Sequence, residues 1–170
     1  MEHQNGLHTD TQFSVFLVNR PGVLAQVVQK LAADKINIVA LSMMDSTEHG
    51  VLRLVAENPD RTRQALKSLD LPTNETVVLT ATLPNHPGSL ADFVQRLAVE
   101  HINVHYAYCT TGAPGGKTLG IFKVADVAKA MKVLSARHPR RKSDAGDTRR
   151  SRKQDQGRPS RVRGGMAGRR

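Results

Sequence analysis

Asn19-Arg20-Pro21-Gly22-Val23-Leu24-Ala25 is written a second time, 66 residues on, as Asn85-His86-Pro87-Gly88-Ser89-Leu90-Ala91. The same offset holds downstream. Val28-Gln29-Lys30-Leu31-Ala32 returns as Val94-Gln95-Arg96-Leu97-Ala98, and Ile36-Asn37-Ile38 as Ile102-Asn103-Val104. At least nine identities fall at this single spacing without a gap, so the chain contains a tandem duplication and one unit must explain both copies.

Each copy reads in the same order. Residues 13–18 and 77–83 are β-branched or aromatic-rich runs, hence strands. Asn-x-Pro-Gly then interrupts the chain: proline is expected to set φ for a first helical turn, and glycine to let the backbone come close to another group. Val23, Leu24, Val27, Val28 and Leu31 share one helical face, as do Leu90, Phe93, Val94, Leu97 and Ala98. Asp34-Lys35 and Glu100-His101 end these helices. Second strands are expected to open at Ile36 and Ile102, third strands to occupy 51–56 and 119–124, and loops to fall at 46–50 and 112–117. Second helices are expected at 60–69, behind Pro59, and at 126–136, capped by Asp126.

With a fourth strand at 71–76, this is a split-βαβ order. It predicts an α+β protein of two tandem ferredoxin-like βαββαβ modules, 11–76 and 77–136, with antiparallel strands covered on one face by helices. The second copy has no apolar run for its own fourth strand. Residues 71–83 are therefore expected to serve as the last strand of one module and the first of the next. A unit of about 65 residues buries only about 60% of its unfolded surface, so module docking or a homodimer is expected to supplement each core.

Charge separates the chain into two parts. Residues 1–136 carry 12 Lys and Arg against 12 Asp and Glu, whereas 137–170 carry 13 against 3 and so hold the whole net charge of +10. That tail has scarcely any large apolar side chain and is expected to be disordered. The polar start, the lack of a long apolar run and the single cysteine, Cys109, together predict no membrane span and a reducing, cytoplasmic setting.

The strand, Asn-Arg-Pro-Gly-Val-Leu-Ala, the amphipathic helix and Ile-Asn-Ile together resemble the ACT domain. The second copy, Asn-His-Pro-Gly-Ser-Leu-Ala with Ile-Asn-Val-His-Tyr-Ala-Tyr, is similar to the same module in its free-standing tandem form. The resemblance covers roughly residues 11–136. It implies a regulatory protein of amino-acid metabolism that binds a small molecule, an amino acid above all, between modules. The ligand-binding residues it implies are Asn19, Pro21, Gly22, Val23 and Leu24 with Asn37 and Ile38, and Asn85, Pro87, Gly88, Ser89 and Leu90 with Asn103 and Val104. Bare amides at a helix start suit a ligand carboxylate, although Pro-Gly is also ordinary turn chemistry without one. The strand of one module is implied to face the helix-start turn of its neighbour.

Other motifs point nowhere. His101, His105 and Cys109 are spaced by four, but strand positions four apart lie about 13 Å from each other, too far to share a zinc. Gly115-Gly116-Lys117-Thr118 resembles the end of a phosphate-binding loop, yet Thr111 stands where that motif needs glycine and a strand follows. Ser42, Ser46, Ser89 and Cys109 have no evident base, so no catalytic residue, metal or cofactor is expected. Tyr106 and Tyr108 share a strand face and suit a pocket wall or a packed core equally. The basic tail offers at most weak, salt-sensitive contact with nucleic acid, and a polyanion-associated dimer is the alternative reading of the whole chain.

Overall fold

A computed structural model describes residues 6–44, 49–111 and 116–136; the tail expected at 137–170 lies outside them. The order is β1 (Leu7–Val18), α1 (Val23–Ala33), β2 (Ile38–Met44), β3 (His49–Ala56), α2 (Pro59–Ser68), β4 (Thr73–Pro84), α3 (Ser89–Val99), β5 (Val104–Thr111), β6 (Lys117–Val124) and α4 (Val127–Ser135). The six strands form one antiparallel sheet in the order β2-β3-β1-β4-β6-β5. That order maps onto itself when each strand is exchanged for its repeat partner. The local two-fold passes through the pair Thr11–Val77, residues that are themselves one repeat apart.

Two long strands join the modules. β4 pairs with β1 from Thr73 to Ala81 and with β6 from Leu79 to Pro84, the double duty expected of 71–83. β1 does the same in reverse, because Leu7–Gln12 lie beside β4 while Gln12–Val18 pair with β3. The missing fourth strand of the second module is thus supplied by the start of β1. Sequence reading began that strand at residue 13 because His8, Asp10, Gln12 and Ser14 interrupt the apolar pattern.

Alternation sorts β1 onto two faces. Phe13, Val15 and Leu17 point to α1 and α2 and join Val27, Leu31, Leu52, Leu54 and Leu66 in one core. Leu79, Ala81, Phe122 and Val124 meet α3 and α4 through Phe93, Leu97 and Leu134 in its counterpart. All four helices lie on this face. A third, smaller core of Ala40, Val55, Val78 and Ile121 occupies the other face. No helix covers it; curvature does. The outer strands of a flat six-stranded sheet would lie about 24 Å apart, yet Cα atoms of β2 and β5 approach within 8 Å. The sheet rolls until its two edges nearly meet.

The second strands begin at Ile38 and Val104, not at Ile36 and Ile102, because the preceding residues close the helices. Lys35 N–H donates to Ala32 O and Ile36 N–H to Leu31 O, both at 2.9 Å; His101 and Ile102 repeat this on Ala98 and Leu97. This is a Schellman ending, with Lys35 (φ 55°) and His101 (φ 56°) in the left-handed region. Ile36 and Ile102 are buried as its apolar anchors. A left-handed side chain costs about 1–2 kcal/mol, partly offset by glycine's greater freedom when unfolded. Lys35→Gly and His101→Gly are each expected to stabilise the protein by roughly 0.5–1 kcal/mol in urea titrations; a loss in both would remove this account of the helix ends.

Candidate functional site: two glycine turns at uncapped helix starts

Both copies of Asn-x-Pro-Gly build the same backbone. Arg20 N–H donates to Val18 O (2.8 Å) and Val23 N–H to Arg20 O (3.4 Å); His86 does so to Pro84 O (3.1 Å) and Ser89 to His86 O (3.3 Å). Gly22 (φ 91°, ψ −19°) and Gly88 (φ 95°, ψ −25°) sit at the third position of these turns. Proline followed by a positive-φ glycine is type II turn chemistry. The prolines therefore precede the N-caps and do not begin the helices, because the glycines themselves are the N-caps. Proline's fixed φ serves the turn rather than the first helical residue.

The four helix starts differ. Asn58 caps α2 by accepting from Arg61 N–H (3.0 Å), and Asp126 caps α4 by accepting from Lys129 N–H (2.8 Å), as its sequence position predicted. The N-caps of α1 and α3, Gly22 and Gly88, have no side chain to supply such a bond. Their first helical bonds run from Gln26 to Gly22 and from Asp92 to Gly88. The amides of Leu24 and Ala25, and of Leu90 and Ala91, precede these bonds in the first turn, where the helix dipole is positive. A Cβ built on Gly22 or Gly88 would meet nothing within 4 Å, so there is free space beside both glycines. They are not identical. Ser89 Oγ lies 3.0 Å from His86 Nδ1, whereas Arg20 and Val23 hold those positions in the first copy.

The fold does not gather all the sequence-nominated residues in one place. β1 and β4 are antiparallel, so the two turns leave opposite ends of the sheet. Within each module an 11-residue helix, about 16 Å long, separates the turn from the strand-opening asparagine. Asn37 Nδ2 donates to Glu57 Oε1 (2.8 Å), and Asn37 O accepts from Glu57 N–H (3.1 Å). Asn103 O accepts from Ala125 N–H (2.9 Å). Both asparagine side chains are exposed, while Ile38 and Val104 are half-buried beside the cores.

One cluster escaped sequence reading. Gln12, fully buried on the helix-free face, donates to Tyr106 Oη (2.8 Å) and Ser14 Oγ (3.3 Å) and accepts from Tyr108 Oη (3.0 Å). The Arg53 guanidinium lies 4.1 Å from the Tyr106 ring centroid, a cation–π contact. The two tyrosines thus pin β5 over β1 and β3. Burial pushes the Tyr108 phenol well above its usual range and raises the Cys109 thiol, which argues against a nucleophile at either position. Among the described residues no group of His, Cys, Asp and Glu is placed to hold a metal, and no helix is long and apolar enough to cross a membrane.

A doubled split-βαβ module with glycine turns at matched helix starts defines a class of paired ferredoxin-like modules. The chain belongs to the ACT family: the family model for an ACT domain pair matches residues 8–139. Protein BT0572 from Bacteroides thetaiotaomicron is similar at 29% identity and a TM-score of 0.70, over 76% of this chain and 88% of that one. The regulatory subunit of aspartate kinase from Thermus thermophilus, in its ligand-free form, shares the fold at 15% identity and a TM-score of 0.56, over 78% and 97%. That from Thermus flavus does so at 18% and 0.51, over 76% and 94%. No curated protein matches by sequence.

Proposed function

We propose that this chain senses a small molecule, an amino acid above all, and regulates amino-acid metabolism without catalysing a reaction. The observation that carries this reading is the contrast among helix starts: α2 and α4 are closed by side-chain caps, whereas α1 and α3 begin at glycine N-caps that supply none. Such a turn offers a ligand carboxylate two amides and a partial positive charge. Because each turn lies a helix length from its own module's asparagine, each site is completed by the strand-opening segment of a neighbouring module, Asn37-Ile38 or Asn103-Val104. A homodimer supplies such neighbours. Ligand then regulates by favouring one arrangement of modules, to the extent that it binds that arrangement better.

A thermal-shift screen of the twenty amino acids on the full chain tests this. A ligand at one hundred times its dissociation constant adds about 2.7 kcal/mol of stability. Gly22→Val and Gly88→Val, which place a β-branched side chain in the turn mouths, are expected to abolish the shift one site at a time. A flat response to all twenty, or a shift untouched by both substitutions, would end the proposal.

A further inference from the structure

β2 lies at one edge of the sheet and, among the described residues, is hydrogen-bonded to one strand only, β3. Its composition is that of an interior strand. Ile38-Val39-Ala40-Leu41-Ser42-Met43-Met44 has no charged residue and no proline, and six of its seven side chains are apolar. Natural sheets guard their edges with lysine, proline or inward-pointing charge, whereas near-continuous apolar runs mark strands covered on both faces. β2 is apolar on both. Leu41 and Met43 pair with Leu54 and Leu52, whose side chains lie in the helix-side core, and Met44 pairs with Val51 on the opposite face. The register shift between Ile38 and Ala40 does not set this edge apart, because β5 repeats it between Val104 and Tyr106.

Exposed apolar surface gathers here. Of the nine exposed large hydrophobic side chains among the described residues, five are Leu41, Met43 and Met44 on β2 and Phe16 and Val18 at the end of β1, each 38–50% exposed. Phe16 and Met44 both pair with Val51, so an apolar row crosses three strands and runs out to the edge. At about 200 Å² for a side chain of this size, the five expose about 400 Å². That is a patch of the size that is often functional on a monomer, and about half of the roughly 800 Å² that a standard interface takes from each partner. The fold does not require it. At the matched edge, Ala107 and Cys109, paired with Phe122 and Gly120, stand where β2 has Leu41 and Met43. Tyr106 and Tyr108 on the other face of β5 are engaged with Gln12.

We propose that β2 is a self-association seam: the β2 strands of two copies pair antiparallel about a two-fold axis and join their sheets. A second copy fits because a two-fold contact needs a surface complementary to itself. β2 is apolar along both faces, and with no charge of its own it sets no like charges opposite each other when laid against its copy. The seam needs no ligand and so goes beyond the glycine-turn reading. Where both hold, they meet at one site. β1 and β2 are parallel, so the Gly22 turn leaves the sheet at the Met44 end of β2, and antiparallel pairing brings the copy's Asn37-Ile38 to that end.

Sedimentation equilibrium of the full chain, without amino acid, tests the seam. A reversible dimer is expected below about 100 μM. Leu41→Lys with Met43→Lys, at two exposed positions, is expected to weaken it by about a hundredfold or more, because lysines then face lysines across the two-fold. Ala107→Lys with Cys109→Lys, the matched pair on β5, is expected to change it less than about threefold. In the parent chain, amide exchange is expected to slow in residues 41–44, and not in β5, as concentration rises through the dissociation constant; this readout needs no variant. A monomer at every concentration up to about 100 μM, a dimer untouched by the β2 pair, equal weakening by the β5 pair, or protection gained in β5 in place of β2 would each overturn the seam. An amino-acid thermal shift in a chain that stays monomeric would end this inference and leave the ligand reading standing.

Discussion

Gln12→Ala is expected to lower the unfolding free energy by about 3–5 kcal/mol, combining the cavity left by a fully buried side chain with the loss of partners for its hydrogen-bonded neighbours. Gln12 is 0% exposed, and its amide is the meeting point of Ser14, Tyr106 and Tyr108. The loss should extend beyond β1. Tyr106 and Tyr108 are on an edge strand, three places from β1 in the sheet, and reach Gln12 only because the sheet is rolled. Removing the amide therefore releases one attachment of β5 across the helix-free face, and hydrogen exchange should accelerate in β5 more than in β1. Removing both partners is a different matter. Gln12→Leu combined with Tyr106→Phe and Tyr108→Phe leaves fewer buried polar groups without partners, so the triple variant should recover part of the loss. Equilibrium urea unfolding checks both. A cost below about 1 kcal/mol for Gln12→Ala would mean that the cluster does not hold the roll of the sheet.

Gly120→Ala is expected to follow, at about 2–4 kcal/mol, for a reason of space. A Cβ at Gly120 would stand 2.5 Å from Cε2 and 2.8 Å from Cζ of Phe122. That ring cannot simply turn away, because it is buried and packs on Phe93 with centroids 4.6 Å apart. The duplication shows how the same space is filled in the other module. The matching positions are Leu52 and Leu54, both buried: Leu52 pairs with Val15 and Leu54 with Phe13, as Gly120 pairs with Ala81 and Phe122 with Leu79, so two leucines there share the space that glycine and one large ring fill here. Gly120→Leu made together with Phe122→Leu rebuilds the first module's arrangement. The double variant should lose less than Gly120→Leu alone, a coupling that a double-mutant cycle in urea measures directly. Gly120→Ala within about 0.5 kcal/mol of the parent would show that the ring has room to move.

The order of elements and the duplication were legible in sequence because they rest on local signals. Helix α1 was bounded correctly by its apolar period from Val23 to Ala33, and Asp126 was readable as a cap from its place before an apolar helix. The left-handed endings at Lys35 and His101 were not, since neither residue is the glycine that usually marks one. Pro21 and Pro87 were misplaced by one step for a related reason: Pro-Gly fits both a helix start and a type II turn, and only the positive φ of the glycine separates them.

The candidate site was legible to the same depth. Asn19 to Leu24 and Asn85 to Leu90 were marked by repetition, and their glycine N-caps follow from local backbone that any copy of the motif would adopt. Gln12 carried no such mark. Its polar neighbours His8, Asp10 and Ser14 read as a solvated strand face, and its burial depends on β5, more than ninety residues away, folding over it.

Sequence alone determined that two like modules exist, which residues face their cores and where the helices start, since each of these is written within one or two turns of chain. Tertiary structure alone decided that the two sheets are one, that β1 lends its first half to the second module, and that the open edges roll toward each other. Strand partners and sheet curvature arise from contacts between residues far apart in the chain, and no local period encodes them.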